Sequence, residues 1–404
     1  MCPRRGANAR LNENHCCFAT GQTRPAKRAA SDVNFFIIRG ELGWRVNLRA
    51  FLPYRWGLAL GIFIPVSWII WVATGSGVLV FAAAGIGIIP LAWFMGLATE
   101  ELGKHSGPGV GGLLNATFGN ATELIIALVA LANGLQEVVK ASLTGSIIGN
   151  VLLVLGMSMV AGGIKHKRQT FSREASGVQT TMLVLAVIGL VMPALYVLST
   201  QSTGGTSRLT LEEMSIGIAV ILLVAYVLGL LFSLRTHRDI FNPESANREK
   251  PKWSTKVSLA VLLIATVLVA VESELLVDSL EAAKASLHLT DLFVGVIIIA
   301  IIGNAAEHGS AIAMAHRDKM ELSVSIAMSS TAQIALFVGP FLVLASMLTS
   351  AIMTLNFEIF ELVAIALSAA VLSAVLSDGQ SNWYEGTILV LVYAIMAVAF
   401  FFHP

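Results

Sequence analysis

The chain has 404 residues, 56% hydrophobic and only 13% charged, with a formal net charge of +1. A soluble domain is about 25% charged, so this composition, with a mean hydropathy of +0.78, points to a membrane protein and argues against nucleic acid as a partner. The three cysteines, Cys2, Cys16 and Cys17, all lie near the N-terminus. They cannot staple the apolar body, and no thiolate site for a soft metal can form inside it.

In chain order, residues 1–56 come first, with ten Lys and Arg and no apolar run of signal-peptide length. They read as a basic, partly disordered cytoplasmic tail. A spanning helix needs about 20 mostly apolar residues, and eleven such runs follow: Gly57–Thr74, Gly77–Leu97, Gly111–Ala132, Val138–Ala161, Ser176–Leu198, Leu211–Ser233, Val257–Leu276, Leu292–Ala315, Leu322–Leu348, Phe357–Leu376 and Glu385–Phe402. They are too long for strands and lack period-two alternation. The expected fold is an all-α integral membrane protein.

With the N-terminus in the cytoplasm and the sides alternating, the inner segments hold 23 of the 26 Lys and Arg, and the outer ones only Lys140, Arg208 and Lys284. Cytoplasmic loops should carry that excess. The longest internal segment, 234–256, is polar, holds six Lys and Arg, and reads as a cytoplasmic linker between two halves.

Setting aside the first run (57–75) leaves five runs in 76–233 and five in 257–404. An odd number of spans per half inverts the second half, so two inverted-topology five-helix repeats are expected. Their strongest echo is GNATE at Gly119 and GNAAE at Gly303, 184 residues apart, each inside an apolar run. Thr99-Glu100 echoes Ser273-Glu274. The Ser-rich heads of the fourth and ninth runs align Ser146 with Ser329 and Asn150 with Gln333. Glycine-rich, interrupted helices in matching positions of two halves mark the binding site of a secondary transporter.

On a helix, Asn120 and Glu123 share a face, as do Asn304 and Glu307. Gly119 and Gly303 allow close backbone approach or helix opening. If the repeats cross, Glu123 and Glu307 face each other among Asn120, Asn304, Ser146, Ser329, Asn150 and Gln333. This oxygen-only pocket suits a hard divalent cation, Ca²⁺ first. Two carboxylates in a low dielectric are inexpensive when neutralised by a divalent cation or by protons, and costly when empty and charged. Mutually exclusive occupancy of that kind is antiport. The bland alternatives are a Glu paired with a buried base, or Gly-Asn positions that serve only helix packing.

His308 follows Glu307 and has no counterpart in the first motif, so it either tunes the carboxylate and passes protons or simply fills a helix interface. Among the rim acids, Glu100, Glu101, Asp378 and Glu385 fall on the cytoplasmic side, and Glu272, Glu274, Asp278, Glu358 and Glu361 on the outer side. They either concentrate cations at the mouths or are solvated helix ends. The repeat singles out Glu100 and Glu274 as entrance acids, with Asp378 and Glu385 as further candidates.

The stretches GLLNATFGNATELIIALVAL, VGVIIIAIIGNAAEHGSAIAMAHRDKMELSVSIAMSSTAQIALFVGP and DGQSNWYEGTILVLVYAIMAVAFFF together resemble the cation/proton exchangers, the Ca²⁺/H⁺ antiporter branch of the cation/Ca²⁺ exchanger superfamily. The resemblance covers about Gly57 to Pro404. It implies eleven helices with the first outside the repeats, and Glu123 and Glu307 binding cation and protons. Asn120 and Asn304 would line the site, and Ser146, Ser329 and Gln333 match the family's fourth- and ninth-helix stretches. It further implies that cytoplasmic Ca²⁺ leaves in exchange for H⁺, with no resident cofactor. The 234–256 linker lacks the acidic segment of many relatives, and the short loops point to a bacterial inner membrane rather than a vacuole or other organelle. A homo-oligomer is left open. The alternatives are a Na⁺/Ca²⁺ exchanger or a Mn²⁺- or Mg²⁺-preferring relative, a passive channel, and a metalloenzyme using Glu307, His308 and His316. The eight-residue spacing of those histidines speaks against the metalloenzyme.

Overall fold

A computed structural model describes residues 55–403 apart from 107, 204, 242–250 and 350. The tail to residue 54, with its cysteines, and the middle of the linker lie outside the described residues. The chain forms α1 (Gly57–Thr74), α2 (Gly77–Ser106), α3 (Pro108–Phe118), α4 (Ala121–Ala132), α5 (Gln136–Gly163), α6 (Arg173–Thr200), α7 (Arg208–Thr236), α8 (Thr255–Asp278), α9 (Leu280–Leu287), α10 (Asp291–Gly303), α11 (Ala305–His316), α12 (Met320–Leu348), α13 (Ile359–Leu376) and α14 (Trp383–Phe402). Among the described residues nine helices are long and apolar enough to cross a membrane, or ten if α9 and α10, bent by 115°, form one span.

Both runs that carry the motifs are interrupted, as their glycines predict. The third run is broken into α3 and α4 at Gly119-Asn120, and the eighth into α10 and α11 at Asn304. Both asparagines leave helical geometry, at φ −108°, ψ 31° and φ −88°, ψ 10°. Glycine is a poor helix former and asparagine favours helix starts, so the same short motif interrupts both runs.

Length and composition also decide which helices are central. Nearly all of α5 and most of α12 are buried, whereas α1, α6, α7 and α14 keep apolar faces outward. Ile221, Val224, Val227 and Leu228 of α7 are all exposed. Such a face needs lipid. Three helix starts are capped by serine: Ser172, Ser207 and Ser254 each accept a backbone N–H at the start of α6, α7 and α8.

Closest approach inside the bundle occurs where α5 crosses α10. A Cβ at Gly145 would lie 2.0 Å from the Val296 carbonyl oxygen, and one at Gly295 would lie 2.4 Å from Ala141 Cβ. Lipid gives helices little hydrophobic reason to associate, so small residues that let backbones touch carry the packing. At the end bearing Arg173 and Arg317, the only strands among the described residues, β1 (Gln169–Thr170) and β2 (Gln380–Ser381), pair antiparallel. There Gln169 Nε2 donates to Ala315 O and Asp318 Oδ1, both at 2.9 Å.

Candidate exchange site

The two helix breaks place the motifs against each other. Asn120 and Asn304 stand at the starts of α4 and α11, yet neither side chain caps its own helix. Instead each reaches a serine of the other half. Ser330 Oγ donates to Asn120 Oδ1 at 2.8 Å, and Asn304 Nδ2 donates to Ser146 Oγ at 2.8 Å. Asn150, fully buried, links the two pairs by donating to Asn304 Oδ1 at 3.1 Å and Ser330 Oγ at 2.9 Å. Asn120, Ser330, Asn150, Asn304 and Ser146 thus form one unbroken buried chain of polar side chains. A network of this kind fixes a single arrangement because any missing member leaves a buried group unsatisfied.

The carboxylates sit beside this chain, each in the first turn of a half-helix whose free N–H groups favour negative charge. Glu123 is buried and packs on the other motif. A Cβ at Gly303 would lie 3.0 Å from its Cγ and 3.7 Å from its Oε1. Neither oxygen of Glu123, nor Oδ1 of Asn150, has a hydrogen-bond partner among the described residues. Glu307 lies within electrostatic reach of Glu123 and is partly exposed. A Cβ at Gly119 would stand 3.5 Å from Oε1 of buried Gln333. π-Helical turns run through Gly149–Val154, Val294–Ile299 and Ile334–Val338, so three helices depart from regular winding around the site. Such turns recur at functional sites.

One expected ligand is misplaced. Ser329 is exposed and its hydroxyl bonds back to Ile326 O; the serine in the network is Ser330. The spacing of the motifs could have shown this, because Ser146 and Ser330 are 184 residues apart like Gly119 and Gly303. Aligning on the first serine of the Ser-Ser pair shifts the register by one residue and turns the side chain outward.

The rim acids divide differently from the sequence reading. Glu100 and Glu274 are exposed, and Glu100 pairs with Lys104 at 2.7 Å. The buried neighbour Glu101 is held by Lys104 Nζ and the Trp253 N–H, both at 2.9 Å, where the linker joins α8. Asp378 is exposed and accepts the Gln380 N–H at 3.0 Å, shaping a turn. Asn382 of the same segment caps α14 through the Tyr384 and Glu385 N–H groups. Glu385 is partly buried. Glu358 and Glu361 form a capping box at α13, with Thr144 donating to Glu361 at 2.8 Å. Glu272, read as a rim acid, is wholly buried. His308 is partly buried one residue beyond Glu307, and His316 lies against Ala161 O at 3.3 Å at the basic end. Among the described residues no three His, Cys, Asp or Glu cluster as metal ligands would.

A membrane bundle in which two interrupted helices bring carboxylates to a shared oxygen-lined site is the architecture of a secondary cation transporter. The sequence pattern of the sodium/calcium exchanger protein family matches residues 76–235 and 257–402, and the chain belongs to that family. It is 46% identical over 362 residues to a Ca²⁺/H⁺ antiporter of Aphanothece halophytica, covering 85% of this chain and 95% of that protein. It is 47% identical over 326 residues to the Ca²⁺/H⁺ antiporter ChaA of Bacillus subtilis (strain 168), covering 80% and 91%. Among solved structures, native YfkE superposes with a TM-score of 0.75 at 40% identity, covering 86% of this chain and all of that one.

Proposed function

We propose that the chain exchanges Ca²⁺ for H⁺ across a membrane, with Glu123 and Glu307 as the carboxylates that hold one or the other. One observation carries the assignment of the site: the buried carboxylate of the first motif packs on the glycine of the second, with neither oxygen hydrogen-bonded among the described residues. Oxygen donors alone, two of them charged, suit a hard divalent cation. The names of relatives at 46% and 47% identity support Ca²⁺ and H⁺ as the exchanged pair. Asn120, Asn304, Ser146, Ser330 and Asn150 hold the half-helices in register, with Gln333 beside them. Residues 76–233 and 257–404 act as inverted repeats around the site, and α1 stands outside them. The Lys and Arg asymmetry supports a cytoplasmic N-terminus and a cell membrane in which Ca²⁺ is exported.

The test is ⁴⁵Ca²⁺ uptake into proteoliposomes with a proton gradient imposed and then collapsed, for the parent, Glu123→Gln and Glu307→Gln. Gradient-driven uptake that both variants lose, while eluting as folded protein, is the expected result. Uptake that follows a sodium gradient and ignores protons would overturn the assignment of H⁺.

A further inference from the structure

Glu272 is the most deeply buried of four buried glutamates among the described residues, with Glu101, Glu123 and Glu361, and plays no part in the site described above. It lies on α8, fully enclosed, and its partners come from α1, the helix outside the repeats. Ser67 Oγ lies 2.9 Å from Oε2 and 3.1 Å from Oε1, and the Trp68 indole N–H donates to Oε1 at 2.8 Å. Among the described residues it makes no ion pair. Gly87 of α2 faces both helices, since a Cβ there would stand 3.4 Å from both Glu272 Oε2 and Ile64 N, in ordinary contact. In the alignment of Thr99 with Ser273, the first repeat has Ala98 where the second has Glu272. In that alignment the carboxylate occurs only in the second repeat.

Only 11% of α1 is buried, and Trp68, Ile69, Trp71 and Val72 are exposed. Apolar contact alone gives such a helix little reason to stay attached in lipid, where polar side chains act as glue. The clasp also tolerates either protonation state. The Ser67 hydroxyl has a second acceptor, Ile64 O at 2.7 Å. With Glu272 ionised, Ser67 donates to the carboxylate. With Glu272 protonated, the acid donates to Ser67 Oγ and Ser67 turns to Ile64 O. Trp68 keeps its acceptor in both. A glutamine reproduces the second arrangement, and a leucine reproduces neither.

What α1 is fastened to matters for exchange. Beyond Gly87, α2 presents Trp93 Cζ3 at 3.2 Å from a Cβ built on Gly309 of α11, and Met95 Sδ, which accepts from Thr122 of α4 at 3.8 Å. The helix that α1 braces thus touches both half-helices bearing the site carboxylates. We propose that Glu272 is a positioning residue: with Ser67 and Trp68 it docks α1 onto α2 and α8, and through α2 it supports α4 and α11 without itself carrying transported ions. The transport arm of its test rests on the Ca²⁺/H⁺ reading, and the cross-linking arm does not.

The experiment uses the full chain with Cys2, Cys16 and Cys17 replaced by serine. Cysteines at Ile64 and Gly87 report the contact of α1 with α2, because a Cβ on Gly87 lies 3.5 Å from Ile64 Cγ1. The initial rate of oxidative cross-linking is compared in parent, Glu272→Gln and Glu272→Leu backgrounds. Glu272→Gln should cross-link like the parent, and Glu272→Leu about tenfold more slowly, as expected for loss of hydrogen bonds to a charged group. Trp68→Phe, a change at the lipid-facing edge that spares folding, should slow it several-fold should the leucine variant not fold. In the same substitutions without the paired cysteines, Glu272→Gln should keep proton-driven ⁴⁵Ca²⁺ uptake with an unchanged pH profile. Glu272→Leu should lose maximal rate about tenfold with half-saturating Ca²⁺ unchanged, as a displaced support would produce. Undiminished cross-linking in Glu272→Leu and Trp68→Phe would overturn the docking role. A shifted pH profile in Glu272→Gln with cross-linking intact would make Glu272 a proton carrier and overturn the positioning role. If even the parent ignores a proton gradient, the cross-linking result still decides the docking and the failure falls on the Ca²⁺/H⁺ reading.

Discussion

The crossing of α5 and α10 makes a sharp prediction from one methyl group. In Gly145→Ala the new Cβ starts 2.0 Å from the Val296 carbonyl oxygen and 2.5 Å from its C and Cα, all backbone atoms that cannot rotate away. Ordinary contact begins at 3.4 Å, so the helices must part by more than 1 Å. The next residue, Ser146, accepts from Asn304 at 2.8 Å, and that displacement takes the pair beyond a useful hydrogen bond. Overpacking costs about 1–3 kcal/mol, and a buried polar group left unsatisfied costs about 1–3 kcal/mol more. Because Asn304 positions the turn that carries Glu307, proton-driven Ca²⁺ uptake should fall about 100-fold, as for other misplacements near 1 Å. The control lies one turn along the same helix: a Cβ at Gly149 meets nothing within 4 Å, so Gly149→Ala should change stability by no more than about 0.5 kcal/mol beyond a gain in helix propensity. Thermal unfolding of the purified proteins and ⁴⁵Ca²⁺ uptake in proteoliposomes read both effects. Equal behaviour of the two variants, whether both intact or both impaired, would refute the reasoning.

Ser330→Ala should destabilise the protein by about 1–3 kcal/mol, because Asn120 and Asn150 both lose a buried partner, whereas Ser329→Ala should be neutral; unfolding temperatures of the pair check this. On the proposed reading, Ca²⁺ binding displaces protons from Glu123 and Glu307, so half-saturating Ca²⁺ should rise as pH falls. The rise is at most about 100-fold per pH unit when two protons leave and about tenfold in Glu123→Gln; equilibrium binding between about pH 5 and 8 would show it, and a flat profile would contradict it. Asp378→Asn keeps the acceptor for the Gln380 N–H and should leave uptake within about twofold at low Ca²⁺, since a surface charge lost from a turn has little effect on what it does not touch. A marked loss at low but not at saturating Ca²⁺ would restore Asp378 as an entrance acid.

Much of this organisation is legible from residue types alone. Length and hydropathy mark the spans because lipid demands about 20 apolar residues per crossing. The Gly-Asn pairs mark the breaks because those residues weaken a helix and suit its start. Other features were less legible. Hydropathy marks a broken run as one segment, since it does not register a φ of −108° at Asn120. The choice of Ser329 over Ser330 fails because a one-residue register error costs nothing in composition but rotates a side chain by about 100°. Glu272 was missed for a third reason. Its burial depends on α1, which has no sequence relationship to the repeats, and a helix-end acid in the sequence looks the same whether water or an indole meets it.

The two motifs are alike in sequence, but they do not build equivalent half-sites. Glu123 is covered and lies on Gly303, while Glu307 is partly exposed. At the 184-residue spacing, the counterpart of Gln333 is Gly149 and that of Asn150 is Ile334. An amide therefore faces Gly119 where the other half leaves open space at Gly149. Glu307 is thus the more accessible of the two carboxylates and Glu123 the more enclosed. On the Ca²⁺/H⁺ reading that difference has a consequence. A divalent cation must reach the covered carboxylate to neutralise both charges, whereas a single proton on Glu307 leaves Glu123 ionised with no hydrogen-bond partner among the described residues. An uncompensated charge in a low dielectric is the expensive state. The half-loaded site, like the empty one, is therefore poorly able to reorient, and full loading by either ion becomes the condition for crossing.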